Sequence, residues 1–294
     1  MYNQIDSNKR RTWGLFFVFL VLFMLVGWAF SYYFQSPGIL VIAVVIAVIQ
    51  SWVSYFYSDK ISLLATGAKE ASRAEFLELH RIVENLAITA GLPKPKIYVI
   101  NDPSPNAFAT GRNPKNASIA VTTGLMERLD KTELEGVIAH ELAHIGNYDI
   151  LVMTVSVTLV GAIVLASDIL LRSRFWGGSD NDNKAGGYAI LIALALAILA
   201  PLFAKMIQLA VSRKREYLAD GSGAMLTRYP EGLASALEKI EAYERPMKSA
   251  NRATAHLFIN EPFGVDDKKQ SWLTSVFSTH PPIHDRIKKL RSTN

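Results

Sequence analysis

No residue between positions 12 and 58 carries a charge, and only Gln35-Ser36-Pro37-Gly38 interrupts the apolar run. A soluble helix needs a polar face for water, and this stretch offers none. Each half approaches the roughly 20 residues that a bilayer core requires. The expectation is a hairpin of two membrane helices, over 13–34 and 39–57, forming a first unit at 1–58. Lys9-Arg10-Arg11 could open a signal peptide, but the apolar run is too long and no small-residue cleavage site closes it. A retained anchor is expected. Two further uncharged runs, 150–167 and 185–204, lie near the lower length limit for a span. Four spans is the direct count, with buried core helices as the alternative for the last two.

Basic residues orient the arrangement. Lys9, Arg10 and Arg11 precede the first run, and Arg213, Lys214 and Arg215 follow the fourth. By the positive-inside rule both termini face the cytoplasm of a multi-pass cell-membrane protein. Two segments then remain on that side, 59–149 and 212–294, separated by a second membrane pair at 150–211. The net charge of +5 could suggest a nucleic-acid partner. The basic residues are scattered or flank apolar runs, so an anionic lipid surface is the simpler partner and no nucleic acid is expected. With no cysteine, thiolate metal sites, disulfides and cysteine nucleophiles are excluded.

Chemistry concentrates in His140-Glu141-Leu142-Ala143-His144. Positions i and i+4 share a helix face, so both imidazoles can reach one cation, and Glu141 stands beside them as a base for water. Neutral imidazole suits zinc, whose catalytic sites keep three protein ligands and one open position. Thr132-Glu133-Leu134-Glu135 reads as a capping box opening this helix, with Asp130 adding negative charge at its start. Val137, Ile138 and Leu142 form its apolar stripe. Asn147 and Asp149 are placed to orient a histidine ligand from behind.

Around this helix a small sheet is expected. Residues 71–92 have helical periodicity, with Phe76, Leu79, Ile82, Val83 and Leu86 on one face and Gly91 as a C-cap. Strands are read at 96–100, 106–111 and 118–122. An edge strand near a metal could bind an extended peptide by β-addition. Further on, Glu216 and Asp220 stand four apart on one helical face. They offer a third metal ligand and a partner for the far nitrogen of a ligand histidine. Glu133, Glu135, Glu231 and His280 compete for the ligand role on chemistry alone. His80, His256 and His284 match no motif.

His140-Glu-Leu-Ala-His144 with Asn147 and Asp149, followed by Arg213, Glu216 and Asp220, resembles the HtpX heat-shock protease family, membrane peptidases related to the CAAX prenyl proteases. Asn106-Ala107-Phe108-Ala109-Thr110-Gly111 and Ser278-Thr279-His280-Pro281-Pro282 with Arg286 fit the same pattern, so the likeness spans most of the chain. It implies a mainly α, membrane-embedded fold with a cytoplasmic α+β zincin-like catalytic domain. It also implies one Zn2+ held by His140, His144 and Glu216, with Asp220 behind a ligand. By the same resemblance Asn106, Ala107, Phe108, Ala109 and Thr110 lie along the substrate, and His280 and Arg286 lie near the developing oxyanion. The implied substrates are misfolded or damaged membrane proteins, handled as stress-linked quality control.

Two other classes of protein compete with this reading. An intramembrane protease would bury its metal helix in lipid, yet Asp130, Lys131, Glu133 and Glu135 precede this motif and favour the interface. A transporter or non-catalytic metal-binding scaffold is the other, and the first two runs lack the ionisable or broken character that transport demands.

Overall fold

The computed structural model describes residues 2–159, 161, 213–243, 245–250, 254–260, 262 and 281–292. The N-terminal hairpin is α1 (Tyr2–Tyr33) and α2 (Gly38–Ala65). Both helices run beyond the expected limits, because helical backbone continues through the charged residues at each membrane-water boundary. Among the described residues these two helices are long and apolar enough to cross a membrane. Val41, Ile42, Val45, Ile46, Ile49 and Trp52 of α2 stay exposed, an apolar surface fit for lipid rather than water.

A four-stranded sheet follows, made of β1 (Lys69–Glu70), β2 (Lys96–Ile100), β3 (Ala107–Gly111) and β4 (Ala117–Thr122). Its order is β1-β2-β4-β3, with β2 and β4 parallel and both outer pairs antiparallel. The short β1 was not foreseen. A Lys-Glu pair shows no alternation, and residues 71–76 read instead as the start of α3. That helix runs Leu77–Thr89, and Ala71 still donates to the Ile97 carbonyl as sheet. Gly91 adopts the positive φ of a helix terminator (+65°), as its position after the periodic stretch predicts.

After α4 (Thr123–Arg128) comes α5 (Lys131–Gly146), which carries the His-Glu-x-x-His motif. Its capping box is Asp130 with Glu133, two residues earlier than expected. The Asp130 carboxylate accepts from the Thr132 and Glu133 amides, and Glu133 returns a bond to the Asp130 amide. Glu133 also holds Ser235 and Lys239 from the later helix at Pro230–Glu241, which removes it from the contest for a metal. Glu135 pairs with Lys131 and Glu231 with Arg291, removing those two as well.

Tyr148 at φ +61° turns the chain into α6 (Asp149–Leu159), bent 83° from α5. This helix opens the third apolar run and is buried along its length against Phe16 and Phe19 of α1. Nearly all the rest of that run, and all of 185–204, lie outside the described residues. The four-span count is therefore neither met nor refused.

The remaining helices are α7 (Arg213–Thr227), α8 (Pro230–Glu241) and α9 (Ile283–Arg291). They close on α5 to make the main core with Leu134, Val137, Leu142, Leu233, Leu237, Ile287 and Leu290. The α5–α8 crossing is tight. A Cβ at Gly136 would stand 2.7 Å from the Leu233 amide nitrogen. Gly136→Val should therefore destabilise the protein by about 1–3 kcal/mol, the usual cost of overpacking. Thermal unfolding in detergent should show the lowered midpoint, and an unchanged midpoint would mean the crossing is looser than described.

Candidate metal centre

One turn of α5 sets His140 above His144, as the i,i+4 spacing requires, and both are buried with Glu141. From α7, Glu216 reaches the same point. Its Oε2 lies 3.7 Å from His140 Nε2, its Oε1 lies 3.5 Å from His144 Nε2, and the two Nε2 atoms are 3.1 Å apart. Ligands about 2.0–2.1 Å from one tetrahedral cation are separated by roughly 3.3 Å, so these edges are those of a coordination face. His140, His144 and Glu216 are the metal-capable group found among the described residues.

The far side of each ring explains its orientation. His140 Nδ1 meets Asp220 Oδ1 at 2.9 Å, and His144 Nδ1 meets Asp149 Oδ2 at 3.0 Å. A carboxylate on Nδ1 holds the proton there and turns the Nε2 lone pair inward. Both lone pairs thus converge on the point that Glu216 faces, and only a positive charge makes that convergence favourable. The electrostatics agree. Burial lowers the His144 pKa, yet Glu216, Asp149 and Glu141 together lift it to about 9. The site retains a proton where a divalent cation would put its charge. A metal fits this donor set.

Glu141 points toward β3, where the Ala109 N–H donates to its carboxylate. Burial pushes its pKa above the ordinary value, with Glu216 adding to the rise while His140 and His144 oppose it. Asp220 behaves oppositely. Burial alone would raise it, but the Arg286 charge and the bonds from Arg286 and His140 hold it at about 2.

Arg286, expected beside the oxyanion, packs against both His140 and Glu216, its Nη2 3.5 Å from each ring nitrogen of His140 and its Nη1 3.8 Å from Glu216 Oε2. Its Nε and Nη2 fork onto Asp220 at 2.9 and 2.7 Å, and Nη1 donates to the Ile259 carbonyl at 3.3 Å. A guanidinium so committed orients Asp220. His280, the other residue expected there, lies outside the described residues. Asn147 caps α5, and the bond from its amide to a histidine is not formed; its carbonyl accepts from Asn8 instead.

Residues 106–110 do lie beside the motif. β3 is an edge of the sheet, and its outer side faces α5, α6 and residues 254–260. Ala107 O accepts from Ile259 N at 3.1 Å, and Gly111 N donates to Thr154 Oγ1 at 3.3 Å. Asn106 pairs with Asn260 through its side chain, Nδ2 donating to the Asn260 carbonyl at 3.1 Å. Phe108 packs on Phe258, and Thr110 bonds Thr154. Ile259 and Asn260 fall in a stretch with no motif to read.

Gly223 brings α7 against the motif itself, since a Cβ there would stand 2.9 Å from the His140 amide nitrogen. The sequence signal for it was only a glycine inside a helix. Arg215 was read as a membrane-flanking charge, yet its Nη1 contacts Asp149 Oδ1 at 3.2 Å. Asn8 carried no signal at all.

A membrane-anchored protein whose buried His-His-Glu group sits beside a buried glutamate and a strand edge is a metallopeptidase by construction. Comparison with known proteins agrees. Residues 73–294 match Peptidase family M48. A relative named Protease HtpX homolog, from Caldanaerobacter subterraneus subsp. tengcongensis, is 48% identical over 99% of this chain and 97% of its own. Another of that name from Dictyoglomus thermophilum is 48% identical, covering 99% and 94%. The crystal structure of S. mikatae Ste24p matches 94% of this chain and 61% of that chain at 20% identity, with a TM-score of 0.48. The chain belongs to peptidase family M48 and, within it, to the HtpX proteases.

Two outcomes follow from this geometry. Gly223→Val forces α7 away from His140, so bound metal should fall well below one ion per chain by elemental analysis. Separately, metal-free protein at pH 7 holds the His144 proton, because the folded pKa is raised from 6.5 to about 9. Metal uptake should release about one proton, and apparent affinity should climb with pH up to about 9. Calorimetry in buffers of differing ionisation enthalpy counts the protons, and zero would contradict the assigned electrostatics.

Proposed function

We propose that the protein is a zinc metalloendopeptidase that hydrolyses misfolded or damaged membrane proteins at the cytoplasmic membrane surface, as part of a stress response. The observation that carries this reading is the convergence of three buried ligands with Glu141 directly beside the edge of β3. A zinc ion held by His140, His144 and Glu216 would supply Lewis acidity, drawing the pKa of water toward about 7 and polarising the scissile carbonyl.

Glu141 takes the proton from the attacking water and delivers it to the leaving amine. Its raised pKa makes it the stronger base, and the Ala109 amide fixes its direction. The outward backbone groups of Ala107 and Ala109 suit main-chain bonding to an extended substrate, with Asn106, Phe108 and Thr110 shaping the wall around them. Ile259 already bonds one of those groups, so the peptide aligns past it, nearer Ala109. Asp149 and Asp220 keep both histidines in one tautomer, and Arg286 keeps Asp220 ionised. His280 remains the proposed donor to the oxyanion, a contribution typically of about 3 kcal/mol.

Orientation draws support from the hairpin. The N-terminal end of α1, with Lys9, Arg10 and Arg11, lies on the side of the metal centre, and α2 leads directly into β1. The basic residues assign that side to the cytoplasm. The units proposed are 1–58, 59–149, 150–211 and 212–294, the first and third in the membrane and the others joined at the metal. A scaffold that only binds metal has no use for a buried Glu141 between the ligands and the β3 edge.

Detergent-purified protein loaded with zinc should cleave unfolded casein. Glu141→Gln should lose at least about a thousandfold in kcat while retaining its metal, since it removes the base and no ligand. Zinc retained with no cleavage by the wild type would favour the scaffold, and absence of zinc from the wild type would end the zinc assignment.

A further inference from the structure

The network behind His144 reaches into the first membrane helix. Asn8, on α1, is buried at 2% exposure although it lies among Asp6, Lys9, Arg10 and Arg11. Its Nδ2 donates to Asp149 Oδ1 at 2.8 Å and to the Asn147 carbonyl at 2.8 Å, while its Oδ1 accepts from Arg215 Nη1 at 2.9 Å. Asp149 Oδ1 also receives Arg215 at 3.2 Å, and its Oδ2 holds His144 Nδ1 at 3.0 Å. One amide thus ties together the start of α1, the α5–α6 turn and the residue before Glu216. Lys9 adds a cation–π contact to Tyr148 in the same turn, 4.9 Å from the ring centroid.

We infer that Asn8 is a positioning residue for the metal centre, acting through Asp149 on His144 and through Arg215 on the helix that carries Glu216. The physical need is specific. Asp149 closes a turn with Tyr148 at positive φ, and its carboxylate can rotate away from His144 unless both oxygens are held. Asn8 and Arg215 hold one oxygen, leaving the other for the imidazole. Arg215 supplies charge, but only the amide offers donors to Asp149 and the Asn147 carbonyl together with an acceptor for Arg215. The first membrane helix is then part of the catalytic centre, and its seating in the bilayer bears on the ligand geometry.

This inference rests on the metal reading above, so the test reads metal directly. Full-length protein in detergent is loaded with Zn2+, and its affinity is measured by chelator competition alongside kcat and KM for casein. Partners one step behind a ligand typically change affinity about 10–100-fold, and Asn8→Ala should lower it about tenfold, with kcat falling and KM holding. Asn8→Asp keeps the volume and the Arg215 contact but sets a carboxylate against Asp149, and should lose at least as much. In an Asp149→Ala background, Asn8→Ala should cost clearly less than it does in the wild type, because its route to His144 is gone and only the route through Arg215 remains. Thr12→Val, one turn along and deleting a hydroxyl bonded to the Asn8 carbonyl, should leave zinc affinity unchanged.

Wild-type affinity in both Asn8 variants would overturn the inference, as would a full additive loss on the Asp149→Ala background or an equal loss from Thr12→Val. Failure of the wild type itself to bind zinc would instead remove the metal reading.

Discussion

Carboxylates buried around two imidazoles are the constraint on which this protein turns. Glu141, Asp149, Glu216 and Asp220 are each nearly inaccessible, and a buried carboxylate without compensation costs several kcal/mol. Each is compensated from a different element. Arg286 of α9 forks onto Asp220, Arg215 and Asn8 grip Asp149, Ala109 of β3 donates to Glu141, and the histidines face Glu216. The helices and the strand are drawn to one point because the charges there require them.

That arrangement also gives the histidines their function. A carboxylate on Nδ1 fixes the orientation of the ring, so Nε2 is aimed at the metal position before any cation arrives. The arginines hold the orienting carboxylates in place, Arg215 on Asp149 and Arg286 on Asp220. The strand edge is likewise shared, since its outer groups serve Glu141, Thr154 and Ile259.

Much of this was legible beforehand, for local reasons. The hairpin followed from a run without charge, α5 from the 3.6-residue period, and the ligand pair from i,i+4 spacing. Spacing made Glu216 and Asp220 candidates among several and the family resemblance implied their roles; the structure brings both beside the histidines, while Glu133, Glu135 and Glu231 each have a partner elsewhere. The capping box was displaced by two residues, because Asp and Thr are both good caps and only backbone bonds choose between them. Strand β1 escaped because two charged residues hold no period, and it exists only by pairing with β2.

The sequence alone determined which segments avoid water, where the helix with the paired histidines lies, and which chemistry those residues can perform. These depend on composition and on spacing within one element. Tertiary structure alone decided that Arg286 forks onto Asp220, that Ile259 shares the β3 edge, and that Asn8 reaches Asp149 across 141 residues of chain. Such contacts join elements remote in sequence, and their energy comes from burying mutual polar groups together, a condition that no local pattern records.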